Sequence, residues 1–266
     1  KRERASNSRQ QWLMFSNEVF HAAIRKSSRE RIDNIRSRNQ DVWKTEVQKL
    51  QKIGEGHPLF HFELQPYFPL KPFCNPADMK EFVNEYRTQS NYFGSFPERN
   101  LEPFQNGVLA RLFNKDGYID FQQMYSYGFI RRDKSLRTEY DERKIVYLSH
   151  IVGFFGITLK ASGNFYKKFG YQGVLTGRLS LTGIEGIRIE QIRTHGGVGF
   201  WDEMIEGMLE SYSWPFEIET NELTDKELCN KFIADMAREI YWSLGMTHPR
   251  EDVLQLFFKE MGWIEN

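Results

Sequence analysis

The sequence predicts an α+β domain: a mainly antiparallel sheet packed with helices, preceded by an N-terminal helical arm. Three observations lead there. Strand-like and helix-like segments come in runs without strict βα alternation, which argues against a parallel, doubly wound sheet. An alternating pair of segments flanks an Asp-Gly turn between residues 107 and 125, the pattern of a β-hairpin. The 266 residues are 40% hydrophobic and hold 22 Phe, 12 Tyr and 6 Trp, enough apolar bulk for a large core.

Taken in order, Gln11 to Lys26 places Trp12, Phe15, Val19, Ala22 and Ala23 at helical spacing. Ser27-Ser28 offers an N-cap for a second helix carrying Ile32, Ile35, Val42, Val47 and Leu50, which ends in Gly54-Glu55-Gly56-His57-Pro58. These helices are basic and thinly apolar, so residues 1–56 read as an arm or linker and 57–266 as the α+β domain. Leu59 to Leu64 alternates as a half-buried strand. Asn75-Pro76-Ala77-Asp78 opens a helix through Arg87, and 94–106 reads as loop. The hairpin joins Gly107–Phe113 to a strand running from Tyr118 to Ile130, with one face expected to be covered and the other wet. Glu139 to Leu159 has helical spacing, weakened at its end by Gly153 and Gly156. Val174 to Ile192 is strand-like, interrupted at Gly183-Ile184-Glu185-Gly186. Trp214 to Thr220 is a further strand. A helix opened by Thr224 presents Leu228, Phe232, Met236, Ile240 and Trp242 as its apolar side, and a last short helix spans 251–261.

Thirty-six Lys+Arg balance 36 Asp+Glu, which excludes coating of nucleic acid by bulk charge. The charge is unevenly spread. Residues 1–44 hold eleven bases and five acids, net +6, whereas 201–239 hold eleven acids and three bases, net −8. This polarity, with the amphipathic basic helices, predicts a homo-oligomer or a tight partner subunit engaging 11–53; the plain alternative is two solvated helix faces. No apolar stretch approaches the roughly 18 residues that a membrane helix needs, so no membrane partner is expected. Two cysteines, Cys74 and Cys229, are too few for a disulfide scaffold or a four-Cys zinc site, and a cytoplasmic setting follows as the simplest expectation. The chain starts at Lys1 without an apolar signal segment, as expected of a piece of a longer protein or a processed product.

Catalytic and cofactor motifs do not surface. The six histidines never take metal-ligand spacing except His57 and His61, which Pro58 keeps off a shared helix face. There is no Gly-x-Ser-x-Gly elbow and no phosphate loop, and no cofactor, metal or catalytic residue is assigned. Asp120, Glu185 and Glu190 lie on or near strands, but the nearby bases are Arg188 and Arg193, which cannot serve as general bases near neutral pH. Phe165, Tyr166, Lys167, Lys168, Phe169 and Tyr171, with Phe129, Arg131 and Arg132, combine rings and cations in the way single-stranded nucleic acid is stacked and neutralised; core-edge aromatics with snorkelling Lys are the competing reading. Arg25, Lys26, Arg29 and Arg36 recur closely enough for several to share a helix side and neutralise phosphates, without any motif that would read bases.

The series of a strand at Leu59–Leu64, strands from Gly107 and Tyr118 ending Gly128-Phe129-Ile130-Arg131-Arg132, a helix with Glu142, the segment Tyr171–Ile189 and the closing helix with Trp242 resembles a known region. It is similar, over about residues 25–245, to the part that follows the Schlafen-type AlbA domain in many bacterial proteins of putative DNA-binding or ATP-binding type. The AlbA-type domain itself has no counterpart here, so none of its functional residues transfers. The resemblance implies a non-catalytic sensing or interaction module of a multidomain protein in nucleic-acid-linked regulation or antiviral defence. Two alternatives stay open: nucleic-acid binding through Arg25, Lys26, Arg29, Arg36, Lys167 and Lys168, and a nuclease or other hydrolase whose site is assembled from scattered residues.

Overall fold

The computed structural model describes residues 29–30, 33–34, 58–67, 72–87, 101–104, 107–113, 119–136, 145–192, 204–246 and 250–264. The chain divides into two compact units, residues 1–51 with 68–70, and residues 52–67 with 71–266. In the first unit, Arg29, Glu30, Asp33 and Asn34 are helical and exposed. The remainder of the expected arm, including its Ser27-Ser28 break, lies outside the described residues, as does the Asn114–Gly117 turn.

The second unit is α+β, as the segment order predicts. Its strands are β1 (Leu59–Pro66), β2 (Leu101–Phe104), β3 (Gly107–Phe113), β4 (Ile119–Tyr125), β5 (Ile130–Ser135), β6 (Ile145–Tyr147), β7 (Val174–Thr182), β8 (Arg188–Glu190), β9 (Met204–Glu206) and β10 (Ser211–Glu219). Its helices are α1 (Pro76–Arg87), α2 (Leu148–Lys168), α3 (Thr220–Thr224), α4 (Lys226–Ser243) and α5 (Glu251–Glu260). Seven strands form one sheet in the order β10-β7-β1-β5-β4-β3-β2, every pair antiparallel; β6, β8 and β9 form a small second sheet.

The sequence expectations need four adjustments. The loop expected over 94–106 contains β2, an edge strand whose Pro103 hides its strand character; β10, at the other edge, carries Pro215. Proline has no N–H to donate, so both edges are poor templates for a further strand. The strand expected from Tyr118 to Ile130 is two strands: Gly128, at φ +84°, closes a tight turn in which the Tyr125 and Gly128 amides donate to the Phe129 and Tyr125 carbonyls. The helix expected over 139–159 starts only at Leu148, because Ile145–Tyr147 is β-branched and aromatic and pairs with β8 instead. That helix then runs through the aromatic–basic segment to Lys168, and Gly170, at φ +68°, ends it. Finally α4 opens one residue later than expected, on Asp225, whose carboxylate accepts from the Glu227 and Leu228 amides at 2.9 Å each.

The hairpin also differs in its environment. β3 and β4 pair from Gly107↔Tyr125 to Phe113↔Ile119, yet every residue of β4 and β5 is buried, where one wet face was expected. β1, β5 and β4 all sit inside the seven-stranded sheet, but only β1 keeps the alternation its sequence shows.

The core lies between the sheet and α2. Phe60, Phe62 and Leu64 of β1 point one way with Leu175, Leu179 and Leu181 of β7 and Trp214, Phe216 and Ile218 of β10, all buried. Phe62, Phe155 and Phe216 meet with centroids 5.7–6.2 Å apart, within the range in which aromatic pairs attract. The α4 stripe is Cys229, Ile233, Met236, Ala237, Ile240 and Tyr241; Leu228 and Trp242, expected on its apolar side, are exposed by 46% and 67%.

Gly156, which weakened the helix expectation, is the point where Trp263 seats against α2: a Cβ there would fall 2.1 Å from the ring. Gly156→Ala should therefore destabilise by about 1–3 kcal/mol through overpacking, despite an intrinsic helix gain near 1 kcal/mol. In a Trp263→Ala background the same change should be neutral or stabilising. Denaturant titration of the four proteins checks this, and a single Gly156→Ala variant as stable as the parent would contradict the seating.

Candidate functional site

The middle strand of the large sheet is also its most charged. β5 reads Ile-Arg-Arg-Asp-Lys-Ser, and a strand sends alternate side chains to opposite faces. On the core face, Lys134 Nζ donates to Asp120 Oδ2 at 3.0 Å, and Arg132 Nε approaches Asp120 Oδ1 at 3.4 Å. Arg132 Nη1 also reaches Thr158 Oγ1 of α2 at 3.4 Å, and Lys134 Nζ stands 4.4 Å from the Phe154 ring centroid. His150 lies nearby; burial first, then the Lys134 charge, holds its pKa below the ordinary histidine range.

On the outer face a second network crosses three strands. The register sets Glu63 opposite Arg131 and His61 opposite Asp133, while His61 faces Ser180 on β7. His61 Nδ1 bonds Asp133 Oδ1, and His61 Nε2 lies 3.0 Å from Thr182 Oγ1. Arg131 donates to Asp133 from Nε at 2.8 Å and from Nη2 at 3.4 Å, and its Nη1 stands 3.5 Å from Glu63. Burial alone would raise the Asp133 pKa; the Arg131 charge, the His61 charge and the hydrogen bonds from both outweigh it and hold the carboxyl below its ordinary value. Asp133 is thus a buried carboxylate that only accepts, so the proton between it and His61 resides on Nδ1. His61 Nε2 is left facing the Thr182 hydroxyl, from which it accepts when the ring carries its single proton on Nδ1. The order runs from the interior outwards: the Asp133 side chain is 1% exposed, that of His61 19%, and Thr182 is half-buried.

Of the residues expected to hold nucleic acid, Arg29, Lys167 and Lys168 are among the described ones. Arg25, Lys26 and Arg36 lie outside the described residues, while Arg29 is exposed on its helix. Lys167 and Lys168 are exposed in the last turn of α2, where cations complement the helix terminus. Lys168 Nζ binds Glu85 Oε2 of α1 at 2.6 Å, and that bond raises its pKa above the ordinary lysine range. Of the rings that accompany them, Phe169 and Tyr171 are half-buried and two others belong to the core. Phe165 and Tyr166 are fully buried, Phe165 edge-on to Phe82 at 5.5 Å and Tyr166 donating to the Gly128 carbonyl at 2.6 Å. Phe129, Arg131 and Arg132 are buried as well, so that part of the aromatic–basic surface is core.

Among the carboxylates weighed for a metal, Asp120 is engaged by Lys134 and Arg132, Glu185 is exposed in the turn after β7, and Glu190 is buried on β8 in the other sheet. No group of three His, Cys, Asp or Glu that could hold a metal ion occurs among the described residues. Both cysteines are buried: desolvation, then the Asp78 charge, pushes the Cys74 thiol up to about 12, and desolvation likewise raises Cys229. No described helix is long and apolar enough to cross a membrane.

Sequence reasoning missed Asp133 and Thr182 because they stand 72 and 121 residues from His61 and meet it only through the register of β5, β1 and β7. The legible signal was β5 itself, where consecutive charges between apolar strands imply partners on both faces. Comparison with protein-family models, with curated proteins and with solved structures finds no match.

Removing Asp133 should leave His61 and Arg131 without their buried acceptor. Asp133→Asn should cost roughly 3–5 kcal/mol in urea unfolding, the range for breaking a buried pair. Because the folded-state pKa is lowered, this carboxylate stabilises the fold above the ordinary aspartate value of about 4 and loses its contribution as the pH falls through the folded value. The stability–pH curve of Asp133→Asn should accordingly be flatter than the parent's below about pH 4. A cost under 1 kcal/mol, or parallel curves, would contradict the network. Native protein at pH 8 should react with a thiol reagent at Cys74 and Cys229 only as it unfolds, since both are buried with raised pKa values.

Proposed function

We propose that this chain is an interaction module that associates through an acidic surface with a basic segment, and that a second copy of the chain supplies that segment. The observation that carries the reading is the run from β10 into α4. Glu217, Glu219, Glu222, Asp225 and Glu227 are all exposed there, with Lys226 the cation among them. Three of these acids also build helix starts: Glu219 and Glu222 form the capping box of α3, and Asp225 caps α4. The charge is therefore anchored to rigid backbone. Residues 1–44, net +6, carry the complementary charge. The same reading is what the resemblance drawn from the sequence, to the region beside a Schlafen-type AlbA domain, would imply for a module that acts by contact.

Single surface ion pairs contribute about 0–1 kcal/mol, so several must act together and salt must weaken them. Light scattering at micromolar concentration should show a dimer or larger species in about 50 mM salt and the monomer in about 500 mM. Glu217→Lys/Glu219→Lys/Glu227→Lys should be monomeric at both. A parent that is monomeric at low salt would overturn the proposal.

Arg29, exposed on its helix, favours a second reading in which the basic segment takes nucleic acid without base specificity. Replacing Arg25, Lys26 and Arg29 with Ser should then lower duplex affinity by roughly one to three powers of ten. Unchanged duplex binding in that variant would end this reading.

A further inference from the structure

We propose that Thr182, His61 and Asp133 form a hydroxyl–imidazole–carboxylate relay that makes Thr182 an acyl acceptor, and that the outer face of the large sheet is a site for carboxylic esters. The proposal is independent of the association described above. It rests on the three adjacent strands that place these groups. Thr182 ends β7, His61 is the third residue of β1, and Asp133 lies on β5, the strand on the far side of β1. The hydroxyl–imidazole distance is 3.0 Å, within the reach of a nucleophile and its base, and the imidazole is bonded at its other nitrogen to Asp133. The carboxylate is in turn clamped by Arg131 through Nε at 2.8 Å and Nη2 at 3.4 Å, so the base has an orienting group that is itself held.

The arrangement has the polarity such chemistry requires. The carboxylate is interior, the ring is 19% exposed and the hydroxyl is half-buried, so the reactive end meets solvent while the orienting end does not. Beside the relay, Ser180 and Ser213 bond each other at 3.1 Å, leaving a small-side-chain surface next to His61 on which a flat ester can lie.

The step balances without a cofactor. Thr182 Oγ1 attacks the ester carbonyl carbon as its proton passes to His61 Nε2; the carbon–oxygen bond to the leaving alcohol breaks, and the alcohol leaves with that proton. The product is an ester of Thr182. Water attacking the same carbonyl, with Nε2 again taking the proton, releases the carboxylic acid and restores the hydroxyl. Asp133 touches no substrate. It is a positioning residue that holds Nδ1–H and so aims Nε2 at the Thr182 hydroxyl.

The test uses p-nitrophenyl acetate on the full chain, followed by peptide mass spectrometry and the release of nitrophenolate. One acetyl group should appear on Thr182. Thr182→Val, close in size and at a half-buried position, should fold and leave that peptide unlabelled, while Thr182→Ser should retain labelling. His61→Gln should slow labelling by about a hundredfold, the lower range for loss of a general base. Ring nitrogen shifts of His61 should show the Nδ1-protonated tautomer in the parent and its loss in Asp133→Asn, and labelling of Thr182 should slow with it; a purely structural role for Asp133 would leave the labelling rate of folded molecules unchanged. Absence of acetyl from Thr182 in the parent together with nitrophenolate release no faster than in Thr182→Val, labelling of His61→Gln at the parental rate, or an unchanged His61 tautomer in folded Asp133→Asn would each overturn the proposal.

Discussion

The seating of α2 on the core face of the seven-stranded sheet is the contact on which the other features depend. The helix offers Phe154, Phe155, Leu159, Phe165 and Tyr166 to the interior, all but fully buried. β1 meets it with Phe60 and Phe62, at ring-centroid distances of 6.0 Å to Phe154 and Phe155 respectively. Such a contact removes several large aromatic surfaces from water at once, each worth on the order of 2 kcal/mol. The helix glycines make room for its neighbours: Trp263 packs at Gly156, and the Leu223 carbonyl lies 2.9 Å from where a Gly163 Cβ would be. Their cost in helix propensity is offset by packing that no larger residue would permit.

With the sheet held in this way, a charged strand can occupy its middle. Buried charges persist only when paired and hydrogen-bonded, and β5 meets that condition on both faces. Arg132 and Lys134 find Asp120 on one side, while Arg131 and Asp133 find Glu63 and His61 on the other. The pairing also specifies register. A slip of β5 by one residue would send Arg131 and Asp133 into the aromatic core and turn Arg132 and Lys134 away from Asp120. The charged side chains thereby select one alignment of the central strands, a task that apolar residues of equal size would perform less strictly.

The same constraints shape the surface. Pro103 and Pro215 stand on the two edge strands, so the large sheet does not extend readily by adding strands. The acids that cap α3 and α4 serve local structure and long-range charge together. The outer-face relay at Thr182 is a different kind of feature: it belongs to the sheet's hydrogen-bond register and exists because β7, β1 and β5 are neighbours.

The sequence by itself determined the fold class and most element positions. The β1 alternation, the paired segments around the Asp-Gly turn, the Asn-Pro-Ala-Asp start of α1 and the helical run of α4 are local signals, and the structure keeps the elements they mark. The acidity of 201–239 was legible for the same reason, being a property of composition. Tertiary structure decided what depends on neighbours distant in the chain. Whether the segment around Phe165 and Tyr166 is a loop surface or a buried helix turns on Phe82 and Gly128, which lie far away in sequence. Whether β4 and β5 keep a wet face turns on what packs over each face of the sheet rather than on their own pattern. The meeting of His61 with Asp133 and Thr182 follows only from strand order and register, because residues 72 and 121 apart become neighbours solely through hydrogen-bonded pairing across three strands.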